Sequence, residues 1–133
     1  DAANNVATPA VRTINVNELS TPVLANLTPA NSPLFILGSS TVQMALEISD
    51  ADDERVSYNV EISSSDPDTN HWPVLEKFTP FEPTTDLNNF NAIGTGKFTI
   101  HSREFWNNAT LTITARDRDG NQTAITRSVR TRP

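Results

Sequence analysis

A chain of 133 residues with a formal charge of -6 has the size of one domain, or of one domain and a tail, and leaves no room for a second substantial core. With 36% hydrophobic and 20% charged residues, nine Pro and four Gly, its composition suits a loop-rich globular fold and excludes collagen-like and wholly disordered classes. Zero Cys excludes a disulfide framework, a thiolate metal site and a thiol nucleophile, and an isoelectric point near 4.7 argues against nucleic acid as a partner.

Residues 1–10, DAANNVATPA, are small and polar with no period and read as a linker or frayed terminus, leaving 11–133 as the domain. The opening at Asp1, without a basic-then-apolar leader, reads as a processed form or an excised piece of a longer protein. A first strand is expected over Val11–Asn17, where Ile14 and Val16 alternate with polar neighbours. Pro22, Pro29 and Pro33 then forbid a helix, because each removes a backbone donor and restricts the residue before it. The longest apolar run, Leu34–Leu37, falls far short of the roughly 20 residues of a membrane helix, so no membrane insertion is expected.

The clearest pattern follows. Val42, Met44, Leu46 and Ile48 alternate with polar or small residues, and Val56, Tyr58, Val60 and Ile62 do the same, which is the period of a strand with one buried face. Asp50-Ala51-Asp52-Asp53-Glu54-Arg55 joins them, either as a hairpin or as a crossing between two packed sheets; periodicity does not separate the two. Residues 63–96 form a long irregular middle segment, with a short strand expected near Val74–Phe78 and a turn at Asp86–Asn91. Alternation resumes through Phe98 and Ile100, then through Leu111, Ile113 and Ala115 in a strand rich in β-branched residues. Asp119-Gly120 marks a turn, and Ile125 and Val129 lie in phase on a last strand. About seven short strands with no convincing 3.6-residue period predict an all-β fold, a two-sheet sandwich. Arg116, Arg118, Arg127, Arg130 and Arg132 put half of the ten basic residues in the last 18 positions, as expected of a basic edge strand that discourages sheet pairing.

Two segments carry a family likeness. TLTITARDRDGNQTAITRSV, residues 110–129, resembles the last hairpin of bacterial immunoglobulin-like modules, with Ala115, Asp117, Gly120 and Asn121 in the places of their Ala-x-Asp and Gly-Asn elements. VQMALEISDADDERVSYNVEI, residues 42–62, resembles the second and third strands of cadherin-like and polycystic-kidney-disease-like repeats, although the Trp-x-Phe-Gly-Asp-Gly element of the latter is missing. The resemblance covers about residues 22–131. It implies that the two-sheet sandwich is immunoglobulin-like, and that the chain is a non-catalytic spacer or interaction domain of a larger secreted or cell-surface bacterial protein, whose partners are other domains of the same polypeptide, a protein or a glycan. The alternative is a carbohydrate-binding accessory domain of an extracellular enzyme or adhesin.

Few residues are arranged for chemistry. His71 lies in a loop and His101 is out of phase with Phe98 and Ile100; neither has a second His or Cys at ligand spacing, and no Gly-x-Ser-x-Gly turn is present. No enzyme is expected. In an immunoglobulin-type sandwich the loop after the second strand and the loop before the last emerge at one end, which would gather Asp50, Asp52 and Asp53 with Asp117 and Asp119. Calcium, which prefers six to eight oxygen ligands, is the candidate cofactor there; solvated turns are the plainer account. An EF-hand is excluded, since Asp117 in its first position puts Ser128 where a bidentate Glu is required. For a ligand with an apolar face, Trp72 is the candidate exposed aromatic and Trp106 the second, while Phe105 and Trp106 are expected either to seal the lower core together or to leave one of the pair exposed.

Overall fold

The computed structural model describes residues 21–52, 54–85 and 88–133. The strand expected at Val11–Asn17 and the linker 1–10 lie outside these residues, as do Asp53 and the first two positions of the expected turn at Asp86–Asn91. Eight strands follow in order: β1 (Val23–Thr28), β2 (Leu34–Leu37), β3 (Thr41–Ser49), β4 (Ser57–Ser64), β5 (Val74–Thr79), β6 (Gly94–His101), β7 (Asn107–Arg116) and β8 (Gln122–Arg132). The only helical turn among the described residues is a 3-10 turn at Thr69–His71.

The strands form two four-stranded sheets, ordered β1-β3-β6-β5 and β2-β8-β7-β4. Lettered along the chain, these are A-B-E-D and A′-G-F-C, the strand orders of an immunoglobulin-like sandwich. The expected fold class is therefore found. Of the strands expected from the sequence, the one at Val11–Asn17 lies outside the described residues, while β1 and β2 stand where only extended, proline-broken chain was expected. Pro29 and Pro33 interrupt an otherwise apolar stretch, and the chain uses the break to leave β3 in one sheet and join β8, in parallel, in the other. Arg127 closes the crossing, donating from Nη1 to the carbonyls of Pro29 (2.6 Å) and Asn31 (3.1 Å).

The two alternating segments behave as their period requires. Met44, Leu46 and Ile48 on β3 and Val60 and Tyr58 on β4 turn inward, but β3 and β4 belong to different sheets, so the acidic loop between them is a crossing rather than a hairpin. Phe98 and Ile100 from β6 and Leu111, Ile113 and Ala115 from β7 complete the interior. Burial of each large side chain here contributes about 1.5–3 kcal/mol relative to exposure. Two aromatic contacts stitch the middle segment to this core: Phe78 stacks on Phe98 at 5.9 Å, and Phe81 meets the edge of Tyr58 at 6.2 Å.

The edges differ between the sheets. Both edge strands of the first sheet, β1 and β5, carry a register shift at a residue with positive φ, Asn26 (55°) and Lys77 (59°). Such bulges twist an edge and blunt its capacity to pair. The arginine-rich β8, expected to be an edge, is instead central, held between β2 and β7. Arg130 and Arg132 therefore project from the outer face of a sheet rather than guard its rim. The edge strand beside it, β2, places Leu34 and Ile36 inward and leaves Phe35 and Leu37 outside, and β4 is the other edge.

Candidate functional site

The two acidic loops do leave one end of the sandwich, because Ser57 at the start of β4 is paired with Arg116 at the end of β7. Their carboxylates are used locally. Asp117 is buried; its Oδ1 accepts the backbone N–H groups of Asp119 and Asn121, both at 2.9 Å, and its Oδ2 accepts the Asn121 side-chain amide at 3.0 Å. Gly120, at φ 93°, completes this turn. Asp50 is also buried, with Oδ1 accepting the Asp52 N–H at 3.1 Å and Oδ2 without a hydrogen-bond partner. Asp52 and Asp119 are exposed. Among the described residues no three acidic or histidine side chains gather so as to hold a metal ion.

The opposite end is more developed. From Ser64 to Asn70 the loop is a relay of short side chains that accept backbone N–H groups two residues on: Ser64 Oγ from Asp66 (3.2 Å), Asp66 from Asp68 (2.9 Å) and Asp68 from Asn70 (2.9 Å). Trp72 pins the loop by donating its Nε1–H to the Asp66 carbonyl at 2.9 Å. His71 sets Nδ1 2.8 Å from Asp66 Oδ2 and Nε2 3.3 Å from Asp68 Oδ2, and its ring stacks on Phe105 at 4.1 Å. The Asp68 N–H, then the His71 ring, hold the Asp66 carboxyl below its ordinary pKa, so it is ionised at neutral pH. An Asp–His pair of this kind resembles part of a hydrolytic triad, but Nε2, where the nucleophile's hydroxyl would sit, faces a second carboxylate. His101 is elsewhere, with Nδ1 2.9 Å from the Thr41 hydroxyl across the sheet.

Beside this loop lies a cleft of about 790 Å³, lined by Phe35, Leu37 and Trp106, by Asp66, Asn107 and Thr131, and by Arg130 and Arg132 on β8. Strand register builds it. Phe35 is paired with Arg130, which is paired with Asn108, and Leu37 is paired with Arg132, so the apolar side chains of the edge strand flank the two guanidinium groups. Arg132 also lies over the Trp106 ring, with Cζ 5.8 Å from its centroid. Trp106 (71% exposed), Phe35 (59%) and Leu37 (51%) are the most exposed large apolar residues described, and they are contiguous. Asn107 is the opposite case, 7% exposed, with neither amide atom making a hydrogen bond of acceptable geometry, although it lies near enough to Asp66 to help lower that carboxyl's pKa.

Of the two aromatic candidates, Trp106 stands in the cleft and Trp72 does not line it; Trp72 is half-buried and its polar edge is taken up by Asp66. The expectation that at least one of Phe105 and Trp106 seals the lower core is corrected, since both are exposed. The reason is phase: Asn107, the first residue of β7, points inward, which puts Trp106 outside, and the Thr131 hydroxyl and the Phe105 carbonyl close that end with a 2.7 Å hydrogen bond. Phe35, Leu37, Asn107, Arg130 and Arg132 were not singled out from the sequence as ligand residues. A signal existed for the first two: four consecutive apolar residues on a strand must put two of them on the outer face.

Fold and cleft together define an all-β, two-sheet sandwich with an apolar and cationic depression at one pole. No protein-family model matches the chain, and no curated protein matches it. Among solved structures, domains 4 and 5 of the S-layer protein SbsC are similar at 13% identity and a TM-score of 0.43, over 85% of this chain and 54% of that one. The chain thus spans about half the length of the structure it matches. Among the described residues no helix is long and apolar enough to cross a membrane.

Proposed function

We propose that this chain is a non-catalytic interaction module of a larger secreted or surface-attached bacterial protein, and that the cleft beside β2 is where it engages its partner. One observation carries the proposal: the most exposed apolar side chains described, Phe35, Leu37 and Trp106, line one cleft together with Arg130 and Arg132. Scattered apolar exposure is ordinary, whereas a contiguous apolar patch bordered by charge marks an interaction surface. The secreted or surface setting is what the likeness to bacterial immunoglobulin-like modules implies. The Asp68 carboxylate facing His71 Nε2 supports the non-catalytic reading.

A fragment screen followed by amide chemical shifts tests this. Small aromatic, polar and charged fragments are expected to perturb Phe35, Leu37, Trp106 and Asn107 together. Perturbations scattered over the surface, or confined to the acidic loops at the other pole, would overturn the assignment.

A further inference from the structure

Resting on that reading, we propose that the cleft recognises an acidic sugar, a uronic-acid unit of an oligosaccharide, with its ring against Trp106 and its carboxylate on Arg130 and Arg132.

Two features select this chemistry. The first is charge. Neither Arg130 nor Arg132 has an ion-pair partner among the described residues, while Asp66, the one carboxylate that lines the cleft, is committed to the Asp68 N–H and to His71. Two unneutralised guanidinium groups two residues apart on the exposed face of β8 favour a carboxylate, which either can hold through charge-assisted N–H donors. The second is the wall, since an exposed indole presents a flat, amphipathic face to the C–H side of a pyranose.

The net charge of -6 does not oppose an anion here. β7 runs its ten residues between the cleft and the Asp117 turn, a distance of about 30 Å at roughly 3.3 Å per residue. At physiological ionic strength the Debye length is about 8 Å, so the acidic pole is screened and the local arginines dominate.

The test is a titration of the chain with trigalacturonate and with its neutral counterpart, galactotriose, followed by amide shifts and Trp fluorescence. Trigalacturonate is expected to shift Trp106, Asn107 and Arg130 saturably, and about tenfold more tightly than the neutral trisaccharide. Arg130→Ala combined with Arg132→Ala should abolish that preference, and Trp106→Ala should weaken both sugars; unchanged melting curves would confirm that these exposed positions leave the fold intact. Equal affinity for the two sugars would remove the acid specificity. If neither sugar binds while fragments still map to the cleft, the sugar assignment fails and the interaction module stands. Tighter binding of a Glu-rich peptide, or concentration-dependent self-association through Phe35 and Leu37, would replace the sugar with a protein partner. Fragments that avoid the cleft would remove both proposals.

Discussion

Asp117 accepts the backbone N–H of Asn121 at 2.9 Å through the same oxygen that accepts the N–H of Asp119, and its other oxygen takes the Asn121 side-chain amide. One buried carboxylate therefore organises the whole β7–β8 turn. Asp117→Ala leaves these donors without an acceptor in a shielded site and is expected to cost about 2–3 kcal/mol, with Asp117→Asn costing less because it retains one carbonyl oxygen. Urea unfolding at neutral pH reads both values, and a loss below about 0.5 kcal/mol for the alanine variant would contradict this role.

Calcium provides a separate check on the acidic pole. A dissociation constant of about 0.1 mM in roughly 1 mM calcium would stabilise the fold by about 1.4 kcal/mol. Because the carboxylates of Asp117 and Asp50 serve as turn acceptors, the melting temperature is expected to stay constant up to several millimolar calcium. An upward shift abolished by Asp50→Asn would instead identify the open Oδ2 of Asp50 as a ligand.

Tyr58 is wholly buried and its hydroxyl has no hydrogen-bond partner. Burial first, and then the Glu82 charge, push its pKa from 10.0 up to about 12. The folded state thus holds the phenol proton where the unfolded chain releases it, so stability is unaffected below pH 10 and falls between pH 10 and 12, by on the order of 3 kcal/mol. Tyr58→Phe should remove this alkaline component and be neutral, or up to about 1 kcal/mol more stable, at pH 7. Denaturant midpoints at a series of alkaline pH values, compared between the two proteins, would show it.

Asp66 behaves in the opposite sense. Its carboxyl is held below 3.8 chiefly by the Asp68 N–H and by His71, so its contribution is present above the ordinary carboxylate range and is lost as pH falls through the lowered folded value. Asp66→Asn should flatten the acid limb of the stability profile and speed hydrogen exchange across 66–72, where Trp72 and His71 are anchored on it. Unchanged exchange in that loop would show that the relay of turns holds without the charge.

The fold was legible because water and oil sort the two faces of a strand, and Met44, Leu46, Ile48, Tyr58, Leu111 and Ile113 record that sorting in their spacing. The acidic loops were placed at one pole correctly by topology, yet spacing does not say whether a carboxylate points at solvent, at a metal or at its own backbone; at Asp117 the backbone won. Most of the cleft was not legible. Trp106 was visible as a candidate, but its neighbours come from β2, β7, β8 and the loop after β4, which are far apart in the chain.

By itself, then, the amino-acid order determined the class of architecture, the residues of the interior and the turn chemistry at Asp117–Gly120, all of which depend on contacts within a few positions. Tertiary structure alone decided that β8 is central rather than an edge, that β3 and β4 part into different sheets, and that Phe35 faces Arg130 in one cleft with Trp106. The physical reason is that alternation specifies which face of a strand is buried, while the identity of the neighbouring strand follows from how all the faces can be covered at once.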